Sequence, residues 1–148
     1  MRTLFLDSSF LIAYILNNDS LHEKAVEIVH QKDIFNKYKC CISNDIINEV
    51  ITIIGNKGGL NKATESYYIL KDSFTILNEN NILNFNDEVM SIYMEYNTNL
   101  SFTDSAILKI IEEYDVDYLL TFDKLLNKSA KEKSFFFLML KRHKKLNG

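Results

Sequence analysis

Short apolar runs alternate with longer stretches of helical periodicity along this chain. Apolar runs at 4–6, 38–42, 74–77 and 118–120 are typical of buried strands. Apolar residues at helical spacing predict helices near 10–15, 20–29, 43–58, 60–72, 86–96 and 103–114. Strands that alternate with helices in this way predict an α/β fold, a three-layer α/β/α arrangement with a mostly parallel central sheet.

Polar residues mark several of the predicted helix ends. Ser20 and Glu23 have the spacing of a capping box, and Ser43 and Ser101 precede two further helices as expected caps. The run of large apolar residues at 135–140 fits either a last strand or a buried helical turn, because periodicity alone does not separate the two.

Length and composition indicate one soluble domain. The chain has 148 residues, of which 47% are hydrophobic and 25% charged, as in ordinary globular proteins. Its longest unbroken apolar run covers residues 10–16, far short of the roughly 20 that a membrane helix needs. No secretion signal fits the N-terminus, so we expect a cytoplasmic protein without a membrane span.

The net charge of −3 hides an asymmetry along the chain. Residues 124–148 hold eight basic residues against the single acid Glu132, whereas the preceding part is strongly acidic. We therefore divide the chain into one domain, residues 1–140, and a basic C-terminal tail, residues 141–148. The basic tail could bind a polyanion, and an equally good interpretation is a solvated segment that aids solubility.

Four carboxylates occur against the hydrophobic pattern. Asp7 and Asp123 lie just past the ends of apolar strands, and the carboxyl ends of parallel strands are where binding sites form. Glu49 and Asp104 lie on or beside the apolar faces of their helices, so we expect both to be partly buried. Each acid alone has a structural explanation, namely a helix cap, a favourable helix dipole, a salt bridge or a turn.

Together the four acids predict a metal site. No Lys or Arg lies within three residues of Asp7, Glu49 or Asp104, so converging carboxylates would repel one another unless a divalent cation joined them. All-oxygen ligation favours Mg²⁺ or Mn²⁺. Ser8 and Thr121, next to the strand-end acids, are expected to hold a water molecule or a carboxylate in place.

The same residues carry a family resemblance. The segments LFLDSSFLIAY around Asp7, NDIINEVITII around Glu49, LSFTDSAILKI around Asp104 and YLLTFDKLL around Asp123 resemble, in this order, those of a PIN domain over residues 1–126. The resemblance implies a PIN-like nuclease domain in residues 1–140. It also implies that the four acids are the catalytic, metal-binding residues, with Thr121 and Ser8 in support.

By this resemblance the protein is a metal-dependent endoribonuclease, similar to VapC-type toxins of toxin-antitoxin pairs, with Mg²⁺ or Mn²⁺ activating the attacking water. Lys124 and Lys128 are then candidates for RNA binding. A small antitoxin partner and a homodimer follow from the toxin analogy. The helix at 86–96 is more apolar than one face needs, which fits a dimer surface and fits core packing equally well. Two alternatives stay open: a non-catalytic RNA- or protein-binding module, and an RNA-processing nuclease outside any toxin-antitoxin system.

Overall fold

The protein is described by a computed structural model that covers residues 1–132 and 136–137. Its centre is a five-stranded sheet in the order β3-β2-β1-β4-β5, in which every pair of neighbours is parallel. This confirms the predicted α/β fold with a parallel sheet. The strands are β1 Arg2–Leu6, β2 Tyr38–Ser43, β3 Thr75–Leu77, β4 Tyr118–Leu120 and β5 Phe136–Phe137.

Helices connect the strands and cover the sheet. The helices are α1 Ser8–Ile15, α2 His22–Lys32, α3 Ile34–Lys37, α4 Asn44–Gly58, α5 Leu60–Ser73, α6 Phe85–Glu95, α7 Phe102–Glu113 and α8 Lys124–Glu132, with a short 3-10 helix at Glu79–Asn81. The pattern did not predict α3, α8 or the 3-10 helix. None of the described helices combines the length and apolarity needed to cross a bilayer.

The core forms where β1 lies in the middle of the sheet. Leu4, Phe5 and Leu6 are fully buried, as expected for a strand covered on both faces. On α7, Ile107 and Leu108 are buried against the same core. The apolar residues at helical spacing therefore determine which face of α7 packs against the sheet. This orientation also determines where the polar residues of its first turn lie.

Two of the three predicted serine caps are wrong. Helix α2 begins one residue later than a Ser20 capping box requires, and no side chain caps it. Ser43 does precede α4, but its hydroxyl is buried and makes no hydrogen bond to the helix. Ser101 caps α7 as predicted, because its hydroxyl accepts a hydrogen bond from the Asp104 N–H at 3.0 Å.

The region after α8 is described only in part. Phe136 and Phe137 form a strand parallel to β4, so the strand interpretation is correct for these two residues. The rest of 135–140 and the whole basic tail, residues 141–148, lie outside the described residues.

Candidate functional site

The carboxyl edge of the sheet carries a row of three polar residues. Extending the observed pairing of β1 with β2 and β4 places Asp7 level with Ser43 on one side and with Thr121 on the other. Neighbouring strands are about 4.8 Å apart, so the three residues are direct neighbours. All three are buried, with exposed fractions of 4% for Asp7 and 1% for each of the other two.

Two hydroxyl groups hold the Asp7 carboxylate in one orientation. Its Oδ2 atom accepts hydrogen bonds from Thr121 Oγ1 at 2.6 Å and from Ser9 Oγ at 2.8 Å. Hydrogen bonds to a carboxylate are short and strong, so they fix its orientation. The other oxygen, Oδ1, has no hydrogen-bond partner in the part of the chain that the structure describes.

The same hydroxyls organise the turn that carries Asp123. Ser9 Oγ accepts from the Phe122 N–H at 3.0 Å, and Thr121 Oγ1 accepts from the Asp123 N–H at 2.9 Å. Asp123 then caps α8, because its Oδ1 accepts from the N–H groups of Leu125 and Leu126 at 2.9 and 3.1 Å. The structural role of Asp123 thus uses one carboxylate oxygen and leaves the second free of these bonds.

The other three acids lie near enough to Asp104 for their charges to act on it. Burial raises its pKa to about 6, and repulsion from Asp123, Asp7 and Glu49 acts in the same direction. A hydrogen bond with the Ser101 hydroxyl offsets only part of this rise. Asp104 is half-buried, as the sequence predicted. The expectation that Glu49 is also partly buried is wrong, because this side chain is exposed on α4, beyond the apolar stripe of Ile46 and Val50.

No basic side chain neutralises this cluster within the described residues. All ion pairs found among the described residues involve acids outside the cluster. The buried Lys109 provides a contrast, since its ammonium lies 3.3 to 3.6 Å from the carboxylates of Glu88, Glu112 and Glu113. Within the described residues, a cation therefore compensates acids elsewhere on α7 but not at the carboxyl edge of the sheet.

The oxygen atoms of the four acids are suitable ligands for a hard divalent cation, although they are not arranged around a common point. Among residues 1–132 and 136–137, no three His, Cys, Asp or Glu side chains are arranged around a point where an ion would bind. The carboxylates supply only oxygen donors and carry uncompensated charge, which is what Mg²⁺ and Mn²⁺ require. The structure thus shows a repelling cluster, and the metal-binding roles of its members stay a prediction.

The sequence did not identify Ser9 as part of the site. We expected support from Ser8, which is buried, but the hydroxyl that contacts Asp7 belongs to Ser9. The available signal was the position of Ser9 two residues after Asp7, since the first turn of α1 returns a short side chain towards the residue that precedes the helix. A role for Ser8 remains untested. Lys124 and Lys128 are exposed on α8, directly after Asp123.

A basic residue from outside α8 also lies near this edge. The ammonium of Lys24, on α2, is 5.9 Å from the centre of the Phe122 ring, and Phe122 directly precedes Asp123. Cations over aromatic faces are held there by the ring quadrupole. Lys24 was not among the residues selected from the sequence, because α2 is far from the acids along the chain.

Comparison with known proteins supports the fold. The family model described as the PIN domain matches residues 4–132. The chain is similar to the structure of VapC20 from Mycobacterium tuberculosis, named a sarcin-ricin loop cleaving toxin, with a TM-score of 0.72 and 15% identity over 86% of this chain and 95% of that one. No curated protein matches the chain.

Two further structures show the same fold at low identity. PAE2754 from Pyrobaculum aerophilum has a TM-score of 0.62 and 23% identity, covering 92% of this chain and 89% of that one. VapBC2 from Rickettsia felis, solved bound to a DNA fragment from its promoter, has a TM-score of 0.64 and 9% identity, covering 94% and 99%.

The raised pKa of Asp104 leads to a prediction about the stability of the protein. Because the folded pKa of about 6 exceeds the ordinary 3.8, protonation stabilises the folded state below pH 4 and this contribution is lost as the pH rises through 6. Without divalent cations, Asp104→Asn should therefore raise the free energy of unfolding at pH 7.5 by about 1 kcal/mol, a figure discounted for partial exposure. At pH 4 the gain should vanish, as urea denaturation at both pH values would show.

The control for this variant is Asp72→Asn, an exposed acid on α5. It should change stability little at either pH. An equal gain from Asp104→Asn at pH 4 and at pH 7.5 would show that the charge on Asp104 is not its cause.

The hydrogen bonds of Thr121 generate a second prediction. Thr121→Val keeps the shape of the side chain but leaves the Asp123 N–H without its acceptor and Asp7 without its shortest hydrogen bond. The loss should be about 1–3 kcal/mol in the free energy of unfolding, and Thr121→Ser, which keeps the hydroxyl, should lose less. Denaturant unfolding measures both, and a Val variant as stable as the parent protein would contradict the proposed role.

Proposed function

Since the chain belongs to the PIN domain family, we propose that it is a metal-dependent endoribonuclease. Asp7, Glu49, Asp104 and Asp123 would hold Mg²⁺ or Mn²⁺ at the carboxyl edge of the sheet. The observation that carries the proposal is the repulsion of the half-buried Asp104 by the charges of Asp123, Asp7 and Glu49, with no basic side chain of the described chain to offset it. Such repulsion costs folding free energy and is relieved when a cation binds.

The residues of the chain have distinct tasks in this proposal. A bound Mg²⁺ or Mn²⁺ supplies a water of lowered pKa and stabilises negative charge on the reacting phosphate. Asp7 presents Oδ1, because Ser9 and Thr121 occupy its other oxygen. Asp104 binds the cation only after losing its proton, so cation binding and activity should strengthen as the pH rises through about 6.

Basic side chains around the acids would bind the RNA backbone. Lys124 and Lys128 project from α8, which begins directly after Asp123, and Lys24 lies over the ring of Phe122. Lysines bind phosphates as point charges and give an affinity that falls with salt. This separation, with the acids around the carboxyl edge of the sheet and the lysines on α2 and α8, suits a polyanion that must place one phosphate near a cation.

The biological class we propose is the toxin of a toxin-antitoxin pair. The support is the similarity to VapC20, named as a toxin, and to VapBC2, solved as a pair. A small antitoxin partner, a homodimer and a cytoplasmic location belong to this proposal. Helix α6 exposes Met90 and Met94, which keeps it a candidate dimer surface. A non-catalytic module is the weaker alternative, because the complete set of acids has no use in one.

The proposal predicts that the acids are needed for cleavage but not for folding. In the presence of Mn²⁺ or Mg²⁺, Asp7→Asn and Asp104→Asn should each reduce the cleavage rate of a single-stranded RNA at least about 100-fold, because each removes a cation ligand. Glu49→Gln should reduce it as well. The rate is measured on a labelled RNA by gel electrophoresis, and circular dichroism checks the fold.

Matched controls separate the site from general charge effects. Asp72→Asn and Glu65→Gln remove exposed acids of α5 and should leave the rate unchanged. An RNA that the parent protein binds but never cleaves with either metal would favour the non-catalytic module. Full activity of Asp7→Asn would remove that residue from the site.

The lysines give a separate prediction about binding. The double variant Lys124→Gln and Lys128→Gln should weaken RNA binding uniformly across sequences and lower the slope of log affinity against log salt by about 1.4, the loss of two phosphate contacts on a single strand. Fluorescence anisotropy in EDTA measures it without cleavage. The control pair Lys37→Gln and Lys57→Gln changes exposed lysines outside α8, and an equal fall in slope for both pairs would contradict a specific role.

A further inference from the structure

Two buried polar atoms in the described part of the chain have no hydrogen-bond partner, and both lie at the carboxyl edge of the sheet. They are Ser43 Oγ and Asn127 Oδ1. Ser43 ends β2 on one side of Asp7, and Asn127 contacts the end of β4 on the other, where its Nδ2 donates to the Thr121 carbonyl at 3.4 Å. The unpaired atoms therefore flank the buried carboxylate at the centre of the acidic cluster.

Ser43 forgoes a bond that its position offers. A serine before a helix usually accepts a hydrogen bond from the first turn, and this cap stabilises the helix. Ser43 has the extended backbone of a capping residue, yet its hydroxyl makes no such bond and is buried instead, 1% exposed. A buried hydroxyl without a partner destabilises the folded state, so its presence here is not explained by stability.

Exchanging the amide oxygen and nitrogen of Asn127 would not give its unpaired atom a hydrogen-bond partner. If the amide were reversed, Oδ1 would face the Thr121 carbonyl oxygen, and two acceptors would be in contact. The arrangement with Nδ2 towards the carbonyl is therefore the favourable one. It leaves an acceptor buried behind the turn that holds Thr121 and Asp123.

We propose that Ser43 Oγ and Asn127 Oδ1 are water-binding positions that hold the hydration shell of the divalent cation at the acidic cluster. The inference rests on the proposed function for the presence of that cation. Mg²⁺ dehydrates reluctantly and usually keeps several waters in protein sites. A buried water typically bonds to groups that would otherwise be unsatisfied, and these two atoms are such groups.

An ion that retains water can be held at longer range through that water. Ser43 and Asn127 are then positioning residues. They contact neither the RNA nor the cation, and they act by fixing water molecules between the cation and the protein.

The test compares stability without metal and affinity for Mn²⁺ in the same variants. In EDTA, Ser43→Ala should raise the melting temperature by about 2–4 °C, because it removes an unsatisfied buried hydroxyl. The same variant should bind Mn²⁺ about tenfold more weakly by calorimetry, as loss of an outer-shell partner does at metal sites. Asn127→Leu should weaken Mn²⁺ binding similarly, which tests the second position independently.

Ser66→Ala is the matched control for cation binding, since Ser66 is also buried but lies in the middle of α5. It should not alter Mn²⁺ binding. A lower melting temperature for Ser43→Ala in EDTA, or unchanged Mn²⁺ affinity in both test variants, would overturn the inference while leaving the proposed function intact. If the parent protein neither binds Mn²⁺ nor cleaves RNA, the proposed function fails and the inference fails with it.

Discussion

The structure depends on one electrostatic constraint, which is that four acids lie around the carboxyl edge of a parallel sheet and form no ion pair with a basic side chain of the described residues. The backbone imposes this placement, because β1 and β4 end side by side and deliver Asp7 and Asp123 to the same edge. Burial and repulsion then raise the pKa of Asp104 to about 6. A divalent cation is the simplest means of relieving such a cluster, and the remaining features of the edge are consistent with holding one.

The polar residues of this edge are arranged at the expense of stability. Thr121 and Ser9 hold Asp7 rigidly, while Ser43 leaves a helix uncapped and a hydroxyl unpaired. Elsewhere the chain compensates its charges, as Lys109 does for three glutamates. A protein that satisfies its polar groups in one place and not in another is typical of a functional site, where strain is tolerated because a ligand removes it.

Much of the fold was predictable from the sequence, because strands buried on both faces read as continuous apolar runs and amphipathic helices carry a clear period. Helix α8 was missed because its basic residues obscured the apolar positions Leu126 and Ala130. The convergence of the acids could be anticipated from the ends of the strands. The exposure of Glu49 could not be anticipated, since a residue at the margin of an apolar stripe can be either partly buried or exposed.

The finer organisation of the site was beyond sequence patterns for a physical reason. Ser8 and Ser9 are equivalent in any pattern of polar residues, and only the direction of the first turn of α1 decides which hydroxyl meets Asp7. Likewise, Ser43 has the position of a helix cap, and only the missing hydrogen bond between its hydroxyl and α4 shows that it is not one. Such choices are set by side-chain packing between elements that are distant along the chain.

Calorimetric titration of Mn²⁺ into the protein, in buffers of different ionisation enthalpy at pH 6 and pH 8, tests the central claim most directly. If the cation binds to the acidic cluster, binding at pH 6 should release about half a proton, because Asp104 is then half protonated and must ionise, and binding at pH 8 should release almost none. The absence of saturable binding at both pH values would contradict the account.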